Sequence, residues 1–179
     1  LLDMDGTLLD KHGDDYFWEQ YVPEHYSLAH DLTVEEAKAE LLGRYQRVEN
    51  TLDWTDLDYW SSQLGLDNPV LMLRINHLFD IHPFVPDFLR FCREKGKQVH
   101  LVTNAHPKTL AIKLDRTAIG HLFHRIVCAE EVGLAKEDVR FWKRLAGMLS
   151  FDPGRTLLAD DTEKVLRAAE QVGMGILIY

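Results

Sequence analysis

Asp3 and Asp5 flank Met4 and are followed at once by Gly6 and Thr7, where the first apolar run of the chain ends. Side chains two apart on extended backbone point the same way, so these two carboxylates are expected to face one small volume. Gly6 then lets the chain turn sharply. Thr103 and Asn104 close a later apolar run with a hydroxyl and an amide, both suited to phosphate oxygens, just before a helix expected to begin near Pro107. Lys136, in Gly133-Leu134-Ala135-Lys136-Glu137, is expected to open another helix and to offer an anion a point charge. Asp160 and Asp161 follow the run 156–159 and suit a hard, oxygen-seeking cation. Each later element also has a plain reading, as a helix cap or a surface lysine. Four carboxylates brought together cannot all ionise without compensation, and a dication supplies it.

These residues need a scaffold that delivers strand ends to one place. Short apolar runs at 1–4, 98–103, 125–128, 156–159 and 175–179 read as buried strands, and helical patterns separate them. The alternation predicts an α/β fold with a doubly wound parallel sheet. Phe84, Val85, Phe88, Leu89 and Cys92 form an apolar stripe ahead of Gly96, residues 108–118 follow His106-Pro107, and further helices are expected over 139–149 and 162–172. The stretch 13–81 breaks the pattern, with helical periodicity, many aromatics and no convincing strand. It reads as a helical cap inserted after the first strand, leaving 1–12 and 82–179 as the catalytic core. Thr33-Val34-Glu35-Glu36 has capping-box form for a helix to about Glu49; others are expected over 54–63 and from Asn68-Pro69 to about Phe79. An insertion at that point can lie over the strand ends, where α/β proteins bind ligands.

The order Asp-x-Asp-Gly-Thr, Thr-Asn, Lys, Asp-Asp resembles the haloacid dehalogenase superfamily of aspartate-nucleophile phosphatases along the whole chain. The resemblance implies a Rossmann-like core, Asp3 as nucleophile and Asp5 as general acid/base. It implies that Thr103, Asn104 and Lys136 hold the phosphoryl group. It also implies Mg2+ bound by Asp3, the backbone carbonyl of Asp5 and Asp161, with Asp160 as a ligand or just behind. Tyr16-Phe17-Trp18, Val22-Pro23-Glu24, the run 51–67, Thr103-Asn104-Ala105-His106-Pro107 and Lys136-Glu137-Asp138 look like the bacterial GMP/IMP 5′-nucleotidase branch. That likeness implies a purine nucleoside 5′-monophosphate substrate. Aromatic faces in the insertion could stack on a purine, but cap packing accounts for most of them and no single ring is assigned. His106 beside Thr103-Asn104 is open between a substrate contact and a structural role. The alternatives are a phosphatase of a sugar phosphate or phosphoglycolate, a β-phosphoglucomutase-like phosphotransferase on the same residues, and a non-catalytic binding module.

Composition bounds the partners. The 179 residues are 46% apolar and 27% charged, and 20 Lys plus Arg against 29 Asp plus Glu leave a formal charge of −9. The acidic balance argues against a nucleic-acid polymer or an anionic membrane surface, because no basic block exists to release phosphate counterions. No apolar run has the roughly 18 residues of a membrane span. Cys92 and Cys128 stand far apart in apolar surroundings and read as reduced core thiols, in keeping with a cytoplasmic location. A small phosphate ester is the expected partner, with no oligomeric state implied. The chain begins at Leu1 inside an apolar run, so it reads as a trimmed piece of a longer protein.

Overall fold

Helices dominate the computed structural model, which describes residues 1–179. After residues 1–10 the chain enters α1 (His12–Tyr16), a π-helical turn (Phe17–Tyr21) and α2 (Val22–His30), none of which the sequence pattern located individually. The expected capping box is present at α3 (Val34–Val48): the Thr33 N–H donates to Glu36 Oε2 at 2.9 Å, and the Glu36 N–H to Thr33 Oγ1 at 3.3 Å. The helix expected from Trp54 starts later, as α4 (Leu57–Leu64), because Asp56 accepts the amides of Asp58 and Tyr59 and leaves Trp54 in a preceding 3-10 turn. Likewise α5 (Asn68–Arg74) stops short of Phe79: the chain tightens at Ile75, whose N–H donates to Met72 O, and continues as a 3-10 turn. These helices share their own core, in which Phe17, Leu41, Leu57, Trp60, Met72 and Phe79 are fully buried.

The remainder alternates. It runs through α6 (Val85–Glu94), β1 (His100–Thr103), α7 (Pro107–Thr117), β2 (Arg125–Cys128), α8 (Ala129–Val132), α9 (Val139–Leu149), β3 (Leu157–Ala159), α10 (Glu163–Glu170) and β4 (Ile176–Ile178). β1 pairs in parallel with β2, Leu101 beside Ile126, and β3 pairs in parallel with β4, Leu158 beside Leu177. The chain start joins the two pairs: Leu2 bridges Leu101 on one side and Ala159 on the other, both in parallel. The residues at 1–4 supply bridges instead of a full strand because the chain folds back, with the Leu9 N–H donating to Met4 O at 2.8 Å and the Gly6 N–H to Leu9 O at 2.7 Å.

Successive residues face opposite sides. Leu1, Val102, Val127 and Leu158 pack with Trp142 and Leu145 of α9 and Val165 of α10; Leu2, Leu101 and Cys128 pack with Leu89 of α6 and Leu110 of α7. The α6 stripe is narrower than its sequence suggests. Phe84, left-handed (φ 68°) at the position before the first turn, and Phe88 lie exposed, while Val85 and Leu89 go inward. Both cysteines are free thiols. No helix is long and apolar enough to cross a membrane.

The helical segment leaves and re-enters at adjacent points. The Asp10 N–H donates to Asp80 O at 3.1 Å, the His82 N–H to Leu8 O at 2.9 Å, and Leu9 bridges Ile81 antiparallel. Gly13 is pressed against the Phe79 ring, which a Cβ at that position would approach to 2.6 Å.

Candidate active site

The first carboxylate, Asp3, is buried where the chain start leaves the sheet. Lys136 bonds it: the ammonium donates to Asp3 Oδ1, to Asp160 Oδ2 at 2.7 Å and to the Val102 carbonyl at 3.2 Å. All three protons are thus directed at acceptors. Lys136 does not begin a helix as expected. Gly133, left-handed at φ 74°, ends α8, and Asp138 caps α9 by accepting the Arg140 N–H, so Lys136 sits in the turn between them. That turn is pinned from both sides. The Lys136 N–H donates to Asn104 Oδ1 at 2.9 Å, and the Lys136 carbonyl accepts from Trp142 Nε1 at 2.7 Å.

Burial pushes the Asp3 carboxyl up to about 7 despite the adjoining Lys136 ammonium, and Asp160 and Asp5 add to the rise. Burial raises Asp160 too, against the same ammonium. On Lys136 burial favours the neutral amine, but the two carboxylates outweigh it and hold the ammonium charged.

Asp161 follows β3 with Asp160 and forms an ion pair with Lys11 Nζ at 2.6 Å. Asp160 Oδ1 accepts the Thr162 N–H at 3.0 Å, which orients the start of α10. Gly6 makes room for this corner: it is left-handed at φ 82°, and a Cβ there would lie 2.2 Å from Asp161 Oδ2. Asp3, Asp160 and Asp161 bring one oxygen each within 4.8 Å of one another, an oxygen-only donor set suited to a hard dication.

Asp3 and Asp5 line one cavity, as expected, but they have different partners. Asp5 Oδ1 lies 2.8 Å from Lys113 Nζ, a fully buried ammonium that also reaches Asp14 at 2.7 Å. Sequence reasoning missed Lys113, Asp14 and Lys11. The signal for Lys113 is its place on the apolar face of α7, between Leu110 and Leu114, where a lysine has no ordinary reason to be. Five aspartates, Asp3, Asp5, Asp14, Asp160 and Asp161, are thereby paired with only three lysines.

Thr103 is buried, with its hydroxyl accepting the Ala105 N–H at 3.0 Å. The Asn104 side-chain amide donates to Glu137 Oε2 at 2.9 Å, and the Asn104 carbonyl accepts from the Thr55 hydroxyl at 2.6 Å, a bond between the helical layer and the β1 end. His106 caps α7 through Nδ1 and stands 3.3 Å from Asp56, and it does not line the main cavity. The cavity, about 560 Å³, is floored by Asp3, Asp5, Thr103, Asn104, Lys136 and Asp161 and walled by Trp18, Tyr45 and Trp54 of the helical layer.

The chain is similar to several known proteins. The GMP/IMP nucleotidase YrfG of Escherichia coli is 40% identical over 174 residues, covering 97% of this chain and 78% of that protein. A glyceraldehyde 3-phosphate phosphatase of Methanopyrus kandleri is 31% identical over 94 residues, or 52% of this chain and 40% of that one. Among solved structures, a HAD phosphatase from Thermococcus onnurineus superposes with a TM-score of 0.85 at 22% identity, covering 99% of this chain and 83% of that one. A HAD family enzyme from Bacteroides thetaiotaomicron, solved in complex with magnesium and inorganic phosphate, gives a TM-score of 0.66 at 17% identity, over 99% of this chain and 90% of that one. The family description that fits residues 1–173 is haloacid dehalogenase-like hydrolase, and this chain belongs to that family.

Proposed function

We propose that the chain hydrolyses a phosphate monoester through an aspartyl-phosphate on Asp3, and that its substrate is a purine nucleoside 5′-monophosphate of the GMP/IMP type. The observation that carries the reading is Asp3 itself: a buried carboxylate at a strand end, bonded to Lys136, clustered with Asp160 and Asp161 and opening into an aromatic-walled cavity. In the first half-reaction an Asp3 oxygen bonds to phosphorus while the ester P–O bond breaks, and Asp5 gives its proton to the departing oxygen. In the second, Asp5 takes a proton from water, whose oxygen bonds to phosphorus as the Asp3–phosphorus bond breaks. Inorganic phosphate leaves and Asp5 is again protonated. Lys136, Thr103 and Asn104 would hold the phosphoryl oxygens, the Lys136 ammonium and the Asn104 amide turning to them from the acceptors they now bond.

The surplus of aspartates over lysines and the oxygen-only cluster fit Mg2+. Asp3, the Asp5 backbone carbonyl and Asp161 would hold it with Asp160 beside them, and it would supply positive charge against the phosphoryl oxygens. The architecture consistent with this is a doubly wound, Rossmann-like core of residues 1–12 and 82–179 with residues 13–81 as a helical cap. Separate apolar cores and an adjacent entry and exit support that division. The size and aromatic walls of the cavity, with the 40% identity to a GMP/IMP nucleotidase, favour the nucleotide over a smaller ester.

The test is phosphate release from GMP, IMP, AMP, pyrimidine monophosphates, sugar phosphates and phosphoglycolate, with magnesium and with EDTA. Fast, EDTA-sensitive release from GMP and IMP is expected. Sensitive release from another ester alone would remove the nucleotide assignment, and release from none would remove the phosphatase reading.

A further inference from the structure

Lys113 is, with Asp160, the most buried charged side chain of the protein, each 1% exposed, and the steps above do not use it. It projects from the second turn of α7 into the junction where the helical segment leaves and rejoins the sheet domain. Its ammonium donates to Asp5 Oδ1 at 2.8 Å and to both oxygens of Asp14, in α1, at 2.7 Å. It also lies 5.1 Å from the centre of the Phe79 ring, on the returning side of the same junction. A lysine costs free energy to bury, and a partner for Asp5 alone could have come from the surface. This one instead ties a carboxylate of the sheet domain to both ends of the helical segment.

We propose that Lys113 is a positioning residue: held by Asp14 and Phe79, it fixes the Asp5 carboxyl in the rotamer from which proton transfer occurs, and it makes that rotamer depend on the seating of the first cap helix. The inference rests on the reading of Asp5 as proton donor and acceptor. Two features of the geometry favour positioning over simple charge balance. Lys113 borders the cavity with only 1% of its side chain exposed, and its ammonium is turned to Asp5 and Asp14. Its bonds to Asp14 use both oxygens of that carboxylate, which fixes the ammonium rigidly while only one Asp5 oxygen is engaged. The second Asp5 oxygen is left to the reacting group.

The test uses leaving groups. p-Nitrophenolate departs without a proton, whereas the alkoxide of a nucleoside or other alkyl phosphate needs one, so kcat/KM for the two esters separates proton donation from everything else. Lys113→Met should lose about 100-fold in kcat/KM on the fastest alkyl phosphate of the panel, in line with the effect of misplacing a catalytic group by about 1 Å, and much less on p-nitrophenyl phosphate. It should also release a burst of p-nitrophenol before a slow steady state, because attack by water still requires Asp5. Should Lys113→Met not fold, with two carboxylates left facing each other, the double variant Lys113→Met/Asp14→Leu removes the pair as a neutral unit and should show the same selectivity. Asp5→Asn measured alongside separates the two readings. Equal losses on both esters in the lysine variants, with a selective loss in Asp5→Asn, would overturn the role of Lys113. No selective loss in Asp5→Asn would overturn the reading of Asp5.

Discussion

Lys136 Nζ lies 2.7 Å from Asp160 Oδ2 and bonds Asp3 with another of its protons, so one buried ammonium is shared by two buried carboxylates. The group carries one negative charge in excess, and burial makes that charge costly. Asp3, the proposed nucleophile, is therefore held by an arrangement that weakens the fold.

Replacing Asp3 by Asn should abolish turnover, by about a thousandfold or more, while raising stability at neutral pH without metal. The sign follows from linkage. Asp3 ionises near its ordinary 3.8 when unfolded and at about 7 when folded. Between those values the folded state keeps a proton that the unfolded state has lost, so stability falls as pH rises from about 4 to about 7. Asp3→Asn lacks that slope. In EDTA its Tm should exceed the parent's at pH 8, by an amount worth at most a few kcal/mol, and converge with it below pH 4. A parent Tm that rises across that range would contradict the assignment.

Lys136→Met should do the reverse. It leaves Asp3 and Asp160 buried against each other and should destabilise the fold by about 3–5 kcal/mol at pH 7, read by urea unfolding. Lys136→Arg should not rescue activity, since a planar fork cannot reproduce a point charge bonded to three acceptors around it. An arginine variant as active as the parent would count against the tight placement described here.

How much of this is legible in the sequence depends on whether the cause is local. Asp3, Asp160 and Thr103 are legible because each stands at the end of an apolar run, and a parallel sheet brings such ends together whatever the details. The start of α3 is legible because Thr33 and Glu36 satisfy each other within one turn. Lys113 is not, because its partners Asp5 and Asp14 lie about a hundred residues away and only the fold makes them neighbours; its one local trace is a lysine in the apolar face of α7. Phe84 and Phe88 mislead for a related reason. The apolar stripe counts them inward, but the face that α6 buries is centred on Val85 and Leu89, and both phenylalanines stand beside it in solvent.

Gly6→Ala should separate cation binding from folding. The added Cβ meets Asp161 Oδ2, a side-chain atom that can move, at the cost of its place beside Asp3 and of a left-handed alanine, about 1 kcal/mol. The variant should fold, bind Mg2+ at least about tenfold more weakly by calorimetry and lose activity in proportion at limiting metal. Unchanged affinity would mean that Asp161 does not depend on this close approach.

The aromatic residues of the cavity should divide into a binding ring and a packing ring. Trp54 keeps 38% of its surface exposed at the cavity wall and meets Tyr45 edge-on, centroids 6.0 Å apart. Trp60 is 1% exposed, with its indole N–H bonded to the Trp54 carbonyl at 3.0 Å. A stacked base is worth about 1–3 kcal/mol to an aromatic platform, whereas removing a buried tryptophan costs about 3–5 kcal/mol of stability. Trp54→Ala should therefore raise KM for GMP about tenfold, leave KM for p-nitrophenyl phosphate nearly unchanged and shift Tm little. Trp60→Ala should lower Tm steeply and show no base-dependent change in KM beyond that caused by unfolding. If Trp54→Ala affects both esters alike, the ring packs the cap and the base is read elsewhere in the cavity.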